Sequence, residues 1–381
     1  MCAVASRSVT ETELVRICVG SQGLPESAEW AAGMWVNFPA ALARRMASKS
    51  IDEPDTRALA RATANELRMI AAYTPDPPIS ARLPVNYRRV PGPARRLVAR
   101  AIGRVQWARR STWSRFPGWP IDLSADVAAD LAGRPSVSFS RTPVLLTHDI
   151  DSAEGLENLV RMFLSIEEAV GARSANYLVP CAWSLDHALI QEVVRRGHEI
   201  GVHGYDHANR TPFLSAQDRL QRLSRGREFG DRYGALGYRA PSLLRTRELL
   251  TDLAPLYCYD SSIPTSGGPF PVPNNGCASG RPWRIGEIWE IPVTLPRDGS
   301  LQFLGYSPDS IARLWQETAQ IAARSGAIVS LLTHCESSFS GNARMLAAYR
   351  VFIEFVAASA KFEFVRPCEL VARIQGTSES I

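Results

Sequence analysis

Apolar and polar positions change rhythm twice along this chain of 381 residues. Over the first 75 residues, apolar side chains recur at mixed spacings of three and four, Leu59, Ala62, Leu67 and Ile70 being an example. That period predicts helices over 11–18, 27–46 and 55–73. Six prolines then fall within 74–94, which predicts an extended connector, because proline removes a backbone donor and pushes its predecessor out of helical space. A short helix is expected at about 95–109, with Leu97, Val98, Ala101, Ile102 and Val105 on one face and Arg96, Arg100 and Arg104 on another. The turn-rich FPGWP at 116–120 closes this region.

From Thr142 the texture becomes a regular alternation of short apolar runs and amphipathic stretches. The runs fall at 144–147, 175–179, 199–203, 236–240, 256–259, 288–293, 327–333 and 363–365. Between them Leu156, Leu159, Val160, Phe163 and Val170 mark one helical face, and Ile311, Leu314, Trp315, Thr318 and Ala322 another. The second helix should open at Ser307 and Pro308 and stop at Gly326. Seven or eight strand–helix units predict an α/β fold whose parallel sheet is closed, or nearly closed, into a barrel. The expected division is a mainly helical accessory region over 1–140, carrying the Pro-rich and basic segment, and a barrel over 141–381.

Composition refines this picture at three points. No apolar run reaches the ~20 residues of a membrane helix, and the N-terminus lacks the apolar core of a signal peptide, so a cytoplasmic protein is expected. The seven cysteines are scattered and never spaced as CxxC, which argues against a disulfide framework or a cysteine zinc site. Charge is uneven: arginine supplies 41 of 43 basic residues, and 77–121 holds ten arginines with no Asp or Glu, so the remainder of the chain sums to 5 − 10 = −5. Two readings of that segment stay open. The helix could pack its apolar face on the barrel with its arginines in solvent, or the arginines could meet an anionic partner, either a phosphate-bearing sugar carrier or the inner membrane face.

Chemistry-bearing side chains gather at the expected strand ends. His148, His203, His207 and His334 lie at or just past the C-terminal ends of predicted strands, as do Asp149, Asp151, Arg239 and Asp260. In a βα barrel that face builds the active site. Within LLTHDID, Asp149 and Asp151 alternate along a strand and can face one cavity, with Cβ atoms about 6–7 Å apart. One carboxylate on a metal with a second beside it is one reading; the DxD of a metal-using glycosyltransferase is another. In HEIGVHGYDH, His203 and His207 are four residues apart, a spacing that puts two imidazoles on one side of a turn. One carboxylate and two imidazoles would leave a coordination position for water. Arg239 beside an Asp would keep it ionised.

The ordered series THDID, HGYDH, YRAPS, YDSS and LLTH over 147–334 resembles the polysaccharide deacetylase family, carbohydrate esterase family four, across about residues 140–370. The resemblance implies a distorted (β/α)7 barrel, a divalent metal with Zn2+ the first choice, and removal of an N-acyl group, acetyl or formyl, from an amino sugar or another acylated amine. It implies Asp149 as general base, Asp151, His203 and His207 as metal ligands, Arg239 as the residue orienting the base, and His334 as general acid. Asp260 or Glu290 is the carboxylate expected to hold His334 protonated, the choice between them staying open, and Ser242 and Tyr205 are expected near the substrate. Three features depart from the family pattern: Ile150 separates the two aspartates, Ser242 stands where a Tyr is common, and a Gly- and Pro-rich insertion lies at 266–283. A glycosyltransferase or a catalytically silent glycan-binding barrel is the alternative. Nucleic acid is not an expected partner, since the site points to glycans and the chain outside 77–121 is net acidic.

Overall fold

The computed structural model describes residues 139–265 and 279–378 without interruption, together with 76–83, 90–108, residue 277 and ten single positions between 64 and 129. The helices expected over 11–18 and 27–46, most of 55–73, and the turn at 116–120 lie outside the described residues, as does most of the 266–283 insertion.

Parallel strands wind in chain order around a barrel. They are β1 (Thr142–Ile150), β2 (Ala175–Leu178), β3 (Glu199–Val202), β4 (Gly237–Tyr238), β5 (Tyr259–Asp260), β7 (Ile288–Glu290) and β8 (Val329–His334). The short β6 (Trp283–Ile285) runs antiparallel to β7 at one edge, giving the order β6-β7-β5-β4-β3-β2-β1-β8, and β9 (Phe362–Phe364) pairs with the start of β1. Between β7 and β8 the sheet is stitched only loosely: the Leu295 N–H donates to the Ser330 carbonyl at 3.1 Å and the Ser330 N–H to Thr294 Oγ1 at 2.7 Å. The result is the distorted (β/α)7 barrel that the resemblance implied.

Side-chain alternation then assigns every strand residue to the interior or to the helix layer. Val144, Leu146 and Ile150 of β1 join the large core under the helices, whereas Leu145 joins an inner cluster with Ala175, Tyr177, Tyr259, Trp289, Ile291 and Ile328. Leu370, Val371 and Ile374, from the last helix, Pro367–Ser378, enter the same inner cluster. Tyr177 and Tyr259 share a 3.1 Å hydroxyl hydrogen bond, and Tyr259 donates to Glu199 Oε1 at 2.6 Å. Two rings fit because their strand neighbours are glycines: a Cβ at Gly201 would lie 2.4 Å from the Tyr177 ring, and one at Gly237 2.0 Å from Tyr259. The interior toward the strands' C-terminal ends holds the polar residues of the mouth beside a small apolar cluster of Leu243, Val293 and Leu332.

The helix layer mostly follows the sequence. Ser307 caps the helix Pro308–Ser325 by accepting from the Ser310 N–H, Gly326 ends it at φ 70°, and Ile311, Leu314, Trp315, Thr318 and Ala322 are all buried. After β1 the helix contains a π turn at Leu159–Phe163 and ends by Glu168, so Val170 lies beyond the helix whose face it was expected to share.

The basic helix spans Gly92–Ala108 and is oriented opposite to the simpler expectation. Leu97, Val98, Ile102 and Val105 are exposed, while buried Gly103 meets the Phe303 carbonyl and Trp107 packs edge-on against Tyr306 at 5.2 Å. Backbone contact wins here because Gly103 has no Cβ; one added there would come within 2.2 Å of that carbonyl. No helix among the described residues is long and apolar enough to cross a membrane.

Candidate active site

Four strand ends converge on one mouth. In the β1–β8 register Asp149 lies opposite His334, and both side chains fall on the interior side of their strands. Arg239 follows β4, fully buried, and donates to Asp149 Oδ1 at 3.0 Å and to Thr147 Oγ1 at 2.9 Å. Its other nitrogens donate to the Ser261 carbonyl at 2.9 Å and Ser261 Oγ at 2.8 Å, and its guanidinium stacks 4.1 Å from the centre of the Tyr177 ring. A guanidinium held by five contacts cannot swing away from Asp149. Burial would raise the Asp149 pKa, but the surrounding His203, Arg239 and His334 outweigh it and hold the carboxyl below its usual value.

Asp151, His203 and His207 each present a ligand atom, and these atoms lie within 4.8 Å of one another. His203 Nε2 stands 3.6 Å from Asp151 Oδ1 and 3.6 Å from Asp149 Oδ2, and His207 Nε2 stands 3.3 Å from Asp151 Oδ2. His203 donates through Nδ1 to the Arg239 carbonyl at 3.0 Å, which fixes its tautomer and leaves the Nε2 lone pair for the cavity. That Nε2 is buried and makes no hydrogen bond, the state expected of an imidazole prepared for a cation. His207 sits at φ 56° in the loop after β3, a left-handed backbone uncommon for histidine and characteristic of functional loops. The donor set of one carboxylate and two imidazoles fits a divalent transition metal.

His334 is bound from behind by a residue the sequence reading missed. Its Nδ1–H donates to Asp298 Oδ1 at 2.8 Å, its backbone N–H donates to Asp298 Oδ2 at 2.8 Å, and Ser340 Oγ donates to the same oxygen at 2.7 Å. Burial would lower the His334 pKa, but the Asp298 charge and hydrogen bond lift it to about 10. Neither Asp260 nor Glu290 fills this role. They are register partners on β5 and β7, one residue out of phase with the interior-facing Tyr259 and Trp289, so they lie on the helix side of the sheet. There burial raises both carboxyls, and they hydrogen-bond with each other and with Ser262 and the Ile263 N–H. His148 is likewise one residue out of phase and binds Thr333 Oγ1 and Glu167 Oε1 behind the barrel, each at 2.8 Å.

Glu336 was also missed. Its Oε1 accepts from the Asp151 N–H at 3.0 Å and from Ser152 Oγ at 2.8 Å, so the loop carrying Asp151 is tied to the end of β8. Burial and the nearby Asp151 charge push the Glu336 carboxyl up to about 7. Ser242 occupies the turn after β4 at φ 53°. Tyr205 lies between the two histidines in sequence, with Arg222 over its ring at 4.9 Å, and lines a cavity of about 350 Å³ with Leu214, Asp218, Gln221, Arg222 and Arg225. The only sequence signals for Asp298 and Glu336 were an acid just beyond a strand end and an acid two residues after a strand-end histidine.

No family model matches this chain, and no curated protein matches it. Among solved structures it is similar to a putative polysaccharide deacetylase from Mycobacterium smegmatis, at 20% identity and TM-score 0.50 over 64% of this chain and 96% of that one. It is also similar to the Puue allantoinase, at 15% identity and TM-score 0.49 over 62% and 92% of the two chains. A probable polysaccharide deacetylase from Pseudomonas aeruginosa PAO1 aligns at 15% identity and TM-score 0.47 over 63% and 92%. The chain therefore shares the barrel fold of the Mycobacterium smegmatis putative polysaccharide deacetylase.

Proposed function

We propose that this protein is a metal-dependent hydrolase that removes an N-acyl group, acetyl or formyl, from an acylated amino sugar or glycan. One observation carries the reading: an ionised carboxylate clamped by a buried arginine, a three-ligand cluster and a protonated histidine meet at one barrel mouth. Asp151, His203 and His207 would hold the cation. When bound, a divalent cation lowers the pKa of its water and polarises the acyl carbonyl.

The chain's own residues then divide the proton work. Asp149, kept ionised by Arg239, accepts the proton of the attacking water. His334, kept protonated by Asp298, gives its proton to the nitrogen as the carbon–nitrogen bond breaks, so the amine leaves neutral and the acyl group leaves as a carboxylic acid, which ionises to solvent. An amine is a poor leaving group, so a histidine that stays protonated well above neutrality favours amide over ester substrates. The barrel likeness to the Mycobacterium smegmatis protein, named as a putative polysaccharide deacetylase, supports this substrate class. Zinc remains the first choice of cation for this donor set.

The test is acetate and formate release from N-acetyl and N-formyl amino sugars, free, nucleotide-linked and polymeric, after chelation and after metal return. His203→Ala should lose metal. Asp149→Asn should keep metal and lose roughly 10²–10⁴-fold in turnover. Metal-independent release, or unaltered metal affinity in His203→Ala, would defeat the proposal.

A further inference from the structure

The helix Gly92–Ala108 presents a surface that the hydrolytic site does not use. At 100° per residue, Ala94, Leu97, Val98, Ala101, Ile102, Val105 and Ala108 fall within an arc of about 140°. Every one of them is exposed, Leu97 to 72%, Val98 to 58% and Val105 to 56%. Arg100 and Arg104 border one edge of this arc and Arg95 the other. The opposite face is committed to the body of the protein through Gly103 on the Phe303 carbonyl and Trp107 on Tyr306. The apolar stripe is thus held outward by the same contacts that anchor the helix.

We infer that this helix docks the protein on an anionic lipid surface, its apolar arc entering the headgroup boundary and its arginines meeting lipid phosphates. Charge favours a bilayer over a second copy of the chain, because the stretch 77–121 carries ten arginines and no acid and would repel itself across a symmetric interface. An outward apolar arc bordered by arginines is the pattern of a helix lying in the membrane interface, and each basic residue near such a surface adds attraction. The helix also borders the site. Phe303, whose backbone it touches, belongs to the helix Asp298–Leu304 that begins with the carboxylate under His334, and Phe303 and His334 both pack on Phe339, with ring centres 5.9 and 4.9 Å apart. Docking would therefore place the active-site mouth within one helix of the lipid.

Binding is read without substrate, so its failure and that of the hydrolase reading are separable. The full chain is floated with vesicles of phosphatidylcholine, alone or with phosphatidylglycerol, at low and high salt. Association only with phosphatidylglycerol vesicles, reversed by salt, is the expected result. The Arg100→Gln, Arg104→Gln variant should partition about thirtyfold less, and Leu97→Gln with Val98→Gln should also detach, both with unchanged melting temperature. Leu97→Trp should show blue-shifted emission quenched by brominated lipid. The inference is overturned by absence of binding at low salt, by variants that bind as well as the parent, or by a concentration-dependent dimer that Leu97→Gln with Val98→Gln abolishes.

Discussion

On the proposed mechanism, Asp298 is the residue whose replacement would separate proton supply from metal binding. Its charge holds His334 at about 10, above the ordinary imidazole value of about 6.5. Because the folded value is raised, the pair stabilises the protein fully below the ordinary value and progressively less as pH climbs through about 10. Asp298→Asn should accordingly move the alkaline limb of kcat from near pH 10 toward neutrality while metal content stays constant; an unmoved limb would remove His334 from the acid role. His334→Ala should depress amide turnover more than turnover of activated esters, measured side by side. Strand-end position grouped Asp149, Asp151, His203, His207, Arg239 and His334 with His148 and Asp260, which the structure turns away from the mouth, and the resemblance alone gave the six their expected roles. The sequence could not identify Asp298 or Glu336: their partners lie 36 residues away at His334 and 185 away at Asp151, and nothing local in RDGS or CESS marks that pairing.

At the scale of elements, alternation along a strand decides which polar residues reach the site and which build the scaffold. Behind β1, Glu167 accepts from His148 at 2.8 Å and from the Tyr349 hydroxyl at 2.9 Å, tying helices Leu164–Glu168 and Ala343–Ala357 to the sheet. Burial would raise the Glu167 carboxyl, but His148 lowers it further, so its contribution is present above the ordinary carboxylate value and vanishes as pH falls through the depressed one. Glu167→Gln should cost about 3–5 kcal/mol in denaturant unfolding at neutral pH and flatten the acid side of the stability profile. Gly201→Ala, which would press on the Tyr177 ring, should cost about 1–3 kcal/mol. Strand phase was readable in principle, since Asp260 and Glu290 are one step from Tyr259 and Trp289, but the strand ends had to be placed to within one residue. The orientation of the basic helix was not readable, because a single glycine outweighed a whole apolar face.

Taken whole, the molecule assembles its site from distant stretches of chain that the barrel makes neighbours. The candidate metal-ligand cluster comes from β1 and the loop after β3, which are separated only by β2, whereas His334 waits for β8, paired with β1 through Val144 and Val329 and four further steps ending at Thr333 before Asp149 meets His334. Such long-range parallel pairing folds slowly, because the loop entropy is spent before the contacts form. In refolding experiments, capture of a metal-sensitive probe by the first three strands should therefore precede recovery of hydrolysis, with β8 amides gaining protection in the later phase. The loosely stitched edge between β7 and β8 is where that delay would be felt. A nascent chain would acquire affinity for a cation before it acquires the power to cleave, and so would pass through synthesis loaded but chemically silent.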